Sequence, residues 1–229
     1  MIVMTPQPSR TPRTRNPRGD GGRLRDEIVS AATRLLETQS AETITLRAIA
    51  REAGITAPSI YRHFDSVGDV LRAVVEGTFD VLERRLRDSA TGDSAVARLR
   101  SVCAAYLSFA EEQPEQYRLL FGGAWNAADL PPDADAERSE RADIGLDTFA
   151  VLVERVAECV AEGSSTSSDP ADDAAGLWVG LHGFASLRRT TPLFPWPAAL
   201  VDDLVSSLAH LTDSGDRDGR RSTRRLDPA

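Results

Sequence analysis

The sequence predicts an all-α protein, and three observations carry that expectation. Apolar residues recur at three- and four-residue spacing in the long segments between residues 24 and 211. Cap residues stand ahead of three of these segments at Thr56, Ser66 and Asp169. Gly54 separates two of them at the spacing of a tight helix-to-helix turn.

Residues 1–22 hold Arg10, Arg13, Arg15, Arg18 and four prolines, with almost nothing apolar after Met4, so an Arg/Pro-rich disordered arm is expected there. Leu24, Ile28, Ala31, Ala32, Leu35 and Leu36 then mark a first helix whose apolar stripe covers the next two helices from behind. Leu46, Ile49, Ala50 and Ala53 mark a second, which Gly54 ends by supplying the positive φ of a C′ position. Ile55 plugs the corner, Thr56 caps a third helix, and Pro58 fits its first turn, where the missing N–H costs nothing. This third helix is short. It buries Ile60 and Phe64 and leaves Ala57, Ser59, Tyr61, Arg62 and His63 facing outward or sideways, with no acid among them. Two helices across a glycine turn, the second with a cationic exposed face, form the helix-turn-helix that places a recognition helix in the DNA major groove. Residues 23–69 are therefore expected to be a three-helix DNA-binding head.

Ser66 and Asp69 have capping-box spacing, and Leu71, Val74, Val75, Thr78, Leu82 and Leu86 lie on one stripe behind them. A long helix is expected here, joining the head to a helical body over 70–213. Val96, Leu99, Cys103, Tyr106 and Ala110 continue the body, and Pro114 opens a short helix ending near Phe121. Asn126 to Ala136, acidic with two prolines, reads as a mobile loop, and Phe149, Leu152, Val153, Val156 and Val160 mark another helix. Gly163 to Ser168 reads as a serine-rich linker. Asp169, Pro170, Asp172 and Asp173 then combine a cap, an early proline and acids facing the helix dipole. Gly176, Gly180 and Gly183 in that helix cost about 1 kcal/mol each relative to Ala, which points to a close helix crossing. Leu200, Val201, Leu204, Val205, Leu208 and Leu211 form the last helix, and 214–229 is a polar disordered tail.

The formal net charge of −8 argues against DNA until the chain is divided. Residues 1–64 hold ten Arg and six acids, a net of +4, and residues 65–229 hold seventeen Arg and twenty-nine acids, a net of −12. A cationic head meets phosphates while the acidic body stays clear of them. In the arm, the arginines fit the DNA backbone or minor groove as well as they fit a solvated tail. Cys103 and Cys159 are two thiols without an apolar leader near the start, which suits a reducing cytoplasm. No membrane span is expected, since the closest apolar run, Ala174 to Leu187, contains His182.

Ile49-Ala50-Arg51-Glu52-Ala53-Gly54-Ile55, Tyr61-Arg62-His63-Phe64 and the following Ser66 together resemble the tetracycline-repressor (TetR) family of bacterial regulators. Gln113-Pro114-Glu115-Gln116-Tyr117-Arg118-Leu119-Leu120-Phe121 and Trp178 with His182-Gly183 resemble the Trp-His-Gly type of C-terminal domain found in part of that family. The resemblance spans roughly residues 24 to 211 and implies a dimer whose last two helices pair across a two-fold axis. With the polar face of the third helix, it implies phosphate contacts from Thr45, Tyr61, His63 and Ser66 and an approach to base edges by Arg47, Ala57, Pro58, Ser59 and Arg62, with Thr56 also at the DNA. The family often carries a lysine two residues before the position of Asp69; here that residue is Val67, so the resemblance does not supply that phosphate contact. It also implies a small apolar or aromatic effector in the body near Tyr106, Phe109, Phe121, Trp125, Trp178 and His182, with the 126–136 and 163–168 segments gating entry.

No nucleophile elbow, phosphate loop, zincin pair or paired cysteines occur, and no Lys is present for a Walker-type loop. His63, His182 and His210 lack metal-ligand spacing, so no catalytic residue, metal or cofactor is expected. The expected function is a dimeric transcriptional regulator, a repressor released from a palindromic operator by the effector. A constitutive DNA binder and a helical carrier or enzyme with a vestigial helix-turn-helix are the alternatives.

Overall fold

A computed structural model describes residues 21–122 and 143–212. The regular elements of the described residues are all helices: α1 (Gly21–Leu36), α2 (Leu46–Ala53), α3 (Ala57–Ile60), α4 (Val67–Ser89), α5 (Ala95–Glu112), α6 (Pro114–Phe121), α7 (Leu146–Ala161), α8 (Pro170–Thr190) and α9 (Leu200–Leu208), with a 3-10 turn at Ala41–Thr43. The expected arm, the 126–136 loop, Trp125 and the tail lie largely or wholly outside the described residues; α1 begins at Gly21 and so takes in the last two residues of the expected arm.

Local chemistry sets the boundaries of the head. Thr45 caps α2 by accepting from Ala48 N–H at 3.2 Å, and Gly54 ends it at φ 69°, a left-handed conformation that penalises a side chain. Thr56 occupies the cap position of α3 but does not cap it; its hydroxyl lies 2.8 Å from that of Ser59 instead. At four residues α3 cannot hold itself as a helix. It is held by Ile60, fully buried, and by Phe64 in the turn beyond it. Arg34 pairs with Glu52 at 3.0 Å, tying α1 to α2, and Arg25 lies over the Phe64 ring.

The Ser66–Asp69 capping box forms in both directions and starts α4, whose Leu71, Val74, Val75, Thr78, Leu82 and Leu86 are buried as the stripe requires. One hydrophobic core runs from α1 through α4 into the body without interruption. In the body, Arg98 on α5 bonds Glu158 and Glu162 of α7 at 3.0 and 2.7 Å, and Glu162 also accepts from Ala95 N–H. α7 is rotated slightly from the expected stripe: Val151, Leu152, Val156 and Cys159 are buried, while Val153 and Val160 are only half-buried.

Two expectations about the body are corrected. The 163–168 segment is a pinned strap rather than a mobile gate. Ser165 and Ser167 are buried, Ser165 Oγ donates to Ala209 O at 2.7 Å, and backbone bonds join Thr166 to His210 and Thr212 to Ser164. Of the three α8 glycines, only Gly180 sits in a close crossing within the chain, where a Cβ would come 2.9 Å from Leu208 of α9. Gly176 and Gly183 have nothing within 4 Å of that position among the described residues.

Candidate functional site

The structure places the expected DNA-reading residues on one exposed surface of the head. Thr45, Arg47, Thr56, Pro58, Tyr61, Arg62 and Ser66 are exposed, and Ala57, Ser59 and His63 are half-buried beside them. Tyr61 is 55% exposed, so its ring and hydroxyl are both open to a partner on this surface. Neither Arg47 nor Arg62 has an ion pair or hydrogen bond among the described residues, whereas Glu52 is neutralised by Arg34. The surface is therefore cationic and unengaged, the state that a phosphate backbone satisfies. Ser66 is placed differently. Its hydroxyl donates to Asp69 Oδ2 at 2.8 Å and accepts from Asp69 N–H, so its proton is committed to holding the start of α4. Thr45 uses an oxygen lone pair for the α2 cap and keeps its O–H free to donate.

The second feature is a cavity of about 170 Å³ in the body, bounded by α4, α5, α7, α8 and the end of α6. Of the aromatic residues expected there, Tyr106, Phe121 and Trp178 line it. Phe109 does not: it is fully buried in the packed core of α5. His182 stands behind the wall, its Nδ1 2.6 Å from the Tyr117 hydroxyl, which is 3.1 Å from that of Tyr106. Burial lowers the pKa of His182, favouring the neutral ring that can accept from Tyr117. Burial likewise raises Tyr106, so this relay is a set of neutral hydrogen bonds.

Sequence reasoning missed Phe79, Phe149 and Thr148 as lining residues. Phe79 belongs to α4, the same helix that Ser66 starts beside the reader, so the cavity wall and the head share one rod. Gly145 was the available signal: at φ 87°, with a virtual Cβ 2.9 Å from the Phe79 ring, it lets the chain enter α7 against α4. Few polar groups face the space, and each is already satisfied or neutral. Thr148 Oγ1 donates to Phe79 O at 3.2 Å, and burial pushes the Cys103 thiol up to about 12.

Among the described residues no group of three or more His, Cys, Asp or Glu could hold a metal, and no helix is long and apolar enough to cross a membrane.

Comparison with known proteins meets this geometry. Residues 28–74 match the family described as bacterial regulatory proteins, tetR family, and residues 99–211 match the tetracyclin repressor-like C-terminal domain. That second description does not specify the Trp-His-Gly type. An uncharacterized HTH-type transcriptional regulator of Mycobacterium tuberculosis, Rv0681, is 29% identical over 72% of this chain and 70% of its own length. The nucleoid occlusion factor SlmA of Marinomonas is 30% identical over 44% of this chain, which spans about half (51%) of that protein. A Rhodococcus sp. RHA1 protein of unknown function superposes with a TM-score of 0.65 at 28% identity, covering 81% of this chain and 91% of its own.

Proposed function

We propose, on the premise that this chain belongs to the tetR family of bacterial regulatory proteins and is a transcriptional regulator with a DNA-binding helix-turn-helix, that it is a dimeric repressor released from a palindromic operator by an uncharged apolar effector. The observation that carries the reading is the shared helix: α4 begins at the reader and forms a wall of the cavity through Phe79, Leu82 and Leu86. A ligand seated against that wall biases where the head points.

Four-helix pairing supplies the second head. Val179 and Leu187 are 65% and 52% exposed, and with Gly176 and Gly183 they form a small-residue and apolar stripe on the side of α8 away from the core. A second copy of that stripe is what covers it. Tyr61, His63 and Thr45 then position the head on phosphates, and Arg47, Thr56, Ala57, Pro58, Ser59 and Arg62 approach the bases. The head, 23–69, and the body, 70–213, divide this work, and the cytoplasm is its setting.

The lining selects the effector. Among the described residues no charged side chain faces the cavity, so a carboxylate or ammonium would lose water without gaining a partner there. An apolar cavity of about 150 Å³ admits benzene, so about 170 Å³ suits a one-ring arene or a short hydrocarbon. The test is calorimetric titration of a panel of uncharged one- and two-ring arenes into free and operator-bound dimer. By linkage the operator weakens effector binding by the factor by which effector weakens the operator, about 5- to 150-fold for a coupling of 1–3 kcal/mol. Leu146→Trp, at the exposed rim, blocks the effector and leaves operator binding intact. Equal dissociation constants in the two states would leave a constitutive DNA binder.

A further inference from the structure

A second void lies outside the cavity wall, between the end of α5, the start of α6 and the end of α8, with a volume of about 480 Å³. Its floor is apolar: Leu107 and Ala110 of α5, Pro114 of α6, Phe184 and Ala185 of α8. Its rim is charged. Glu111 is the one acid among its lining residues, and it is already paired with Arg188 at 2.8 Å, while the Arg188 guanidinium lies 5.8 Å from the centre of the Phe184 ring. Arg189, the other cation of the rim, is exposed and has no ion pair or hydrogen bond among the described residues. The groove thus presents an apolar floor beside one net positive charge, with its one acid already occupied by Arg188.

We propose that this groove is a second ligand site, selective for an amphipathic anion: a carboxylate carried on an aryl or hydrocarbon body, its charge on Arg189 and its apolar part on the floor. Arginine offers a planar fork of donors that matches a carboxylate with two parallel bonds, and an apolar surround strengthens such a pair. The Tyr117 hydroxyl lies within electrostatic reach of the same charge. Burial raises its pKa, and the Tyr106 and Ser186 side chains and the Arg189 charge oppose that rise. Basic residues at a helix C-terminus also stabilise the helix dipole, but that role needs no adjoining apolar groove. The site complements the cavity between α4, α5, α7 and α8, whose lining among the described residues carries no charge, and stands whether or not that cavity binds an effector.

Phenylbutyrate, phenylbutanol and phenylbutylamine, which share one apolar body and differ in charge, are titrated calorimetrically into the full-length protein. The acid is expected to bind most tightly, about tenfold better than the alcohol, as a charge-assisted pair requires. Arg189→Gln removes the preference for the acid, Ala185→Trp fills the floor and removes binding of the acid, and Leu146→Trp, which closes the other cavity to the alcohol, leaves binding of the acid unchanged. Equal binding of acid and alcohol in Leu146→Trp, an acid preference there that survives Arg189→Gln, or acid binding lost in Leu146→Trp but kept in Ala185→Trp would overturn the assignment. So would the absence of binding to the wild-type dimer, which would mean that a second copy of the chain covers the groove.

Discussion

Val179→Glu is expected to give a folded monomer whose operator affinity falls to the non-specific level, roughly 10³-fold or more below the wild type. Val179 is 65% exposed and contributes nothing to the core of its own subunit, so the substitution leaves the fold intact. Its cost falls on the interface. Gly176 and Gly183 flank it on the same stripe with empty space where a Cβ would stand, although each glycine costs the helix about 1 kcal/mol relative to Ala. Glycine at these positions fits the close approach of a second α8, and a buried glutamate without a partner cannot be accommodated there. Val179 is a cleaner probe of the interface than α9, because Leu204 and Leu208 also lie against Gly180 of their own subunit. Sedimentation velocity and circular dichroism check the result: a helical monomer is expected, and an unchanged dimer would place the interface elsewhere.

Ile60→Ala is expected to abolish DNA binding by melting the reader while the body stays folded. Ile60 is fully buried and is the main anchor of α3, a helix of four residues that has no stability of its own. Removing a buried isoleucine side chain costs about 2–5 kcal/mol, a large part of the stability available to a three-helix head. Amide hydrogen exchange locates the effect. Protection should be lost over Leu46–Phe64 and retained in α5, α7 and α8, whose core includes Leu99, Val156 and Leu177. Loss of protection across the whole chain would mean that head and body unfold as one unit, which the continuous core along α4 makes the natural alternative.

The parts of the fold that are legible in the sequence are those specified locally. Gly54, the Ser66–Asp69 box and Asp169 with Pro170 each act within four residues, and each defines the boundary expected of it. The strap at 163–168 is not legible because its partners, Ala209, His210 and Thr212, lie more than forty residues away, and a run of serines carries no sign of them. The cavity is half legible for a related reason. Helical spacing shows that Tyr106, Phe109 and Trp178 face inward, but only the packing of the helices decides that Phe109 is enclosed and that Phe79 and Phe149 border a space. On α7 the inward face expected from the sequence is nearly one residue out of phase because Val151, Val153, Val156 and Val160 are chemically alike, and contact with α5 and α8 chooses among them.

Selection of bound duplexes from a random library by the wild-type protein, Tyr61→Ala and Arg47→Ala, at fixed salt, tests the central claim most directly. The wild type is predicted to enrich a palindrome whose half-site centres lie one turn apart, about 34 Å, or a multiple of it. Tyr61→Ala should weaken every duplex alike, and Arg47→Ala should relax preference by the about 1–3 kcal/mol of a good base contact. Enrichment of no sequence, enrichment of a site without two-fold symmetry, or wild-type affinity and preference in both variants would contradict a dimeric operator reader built on this surface.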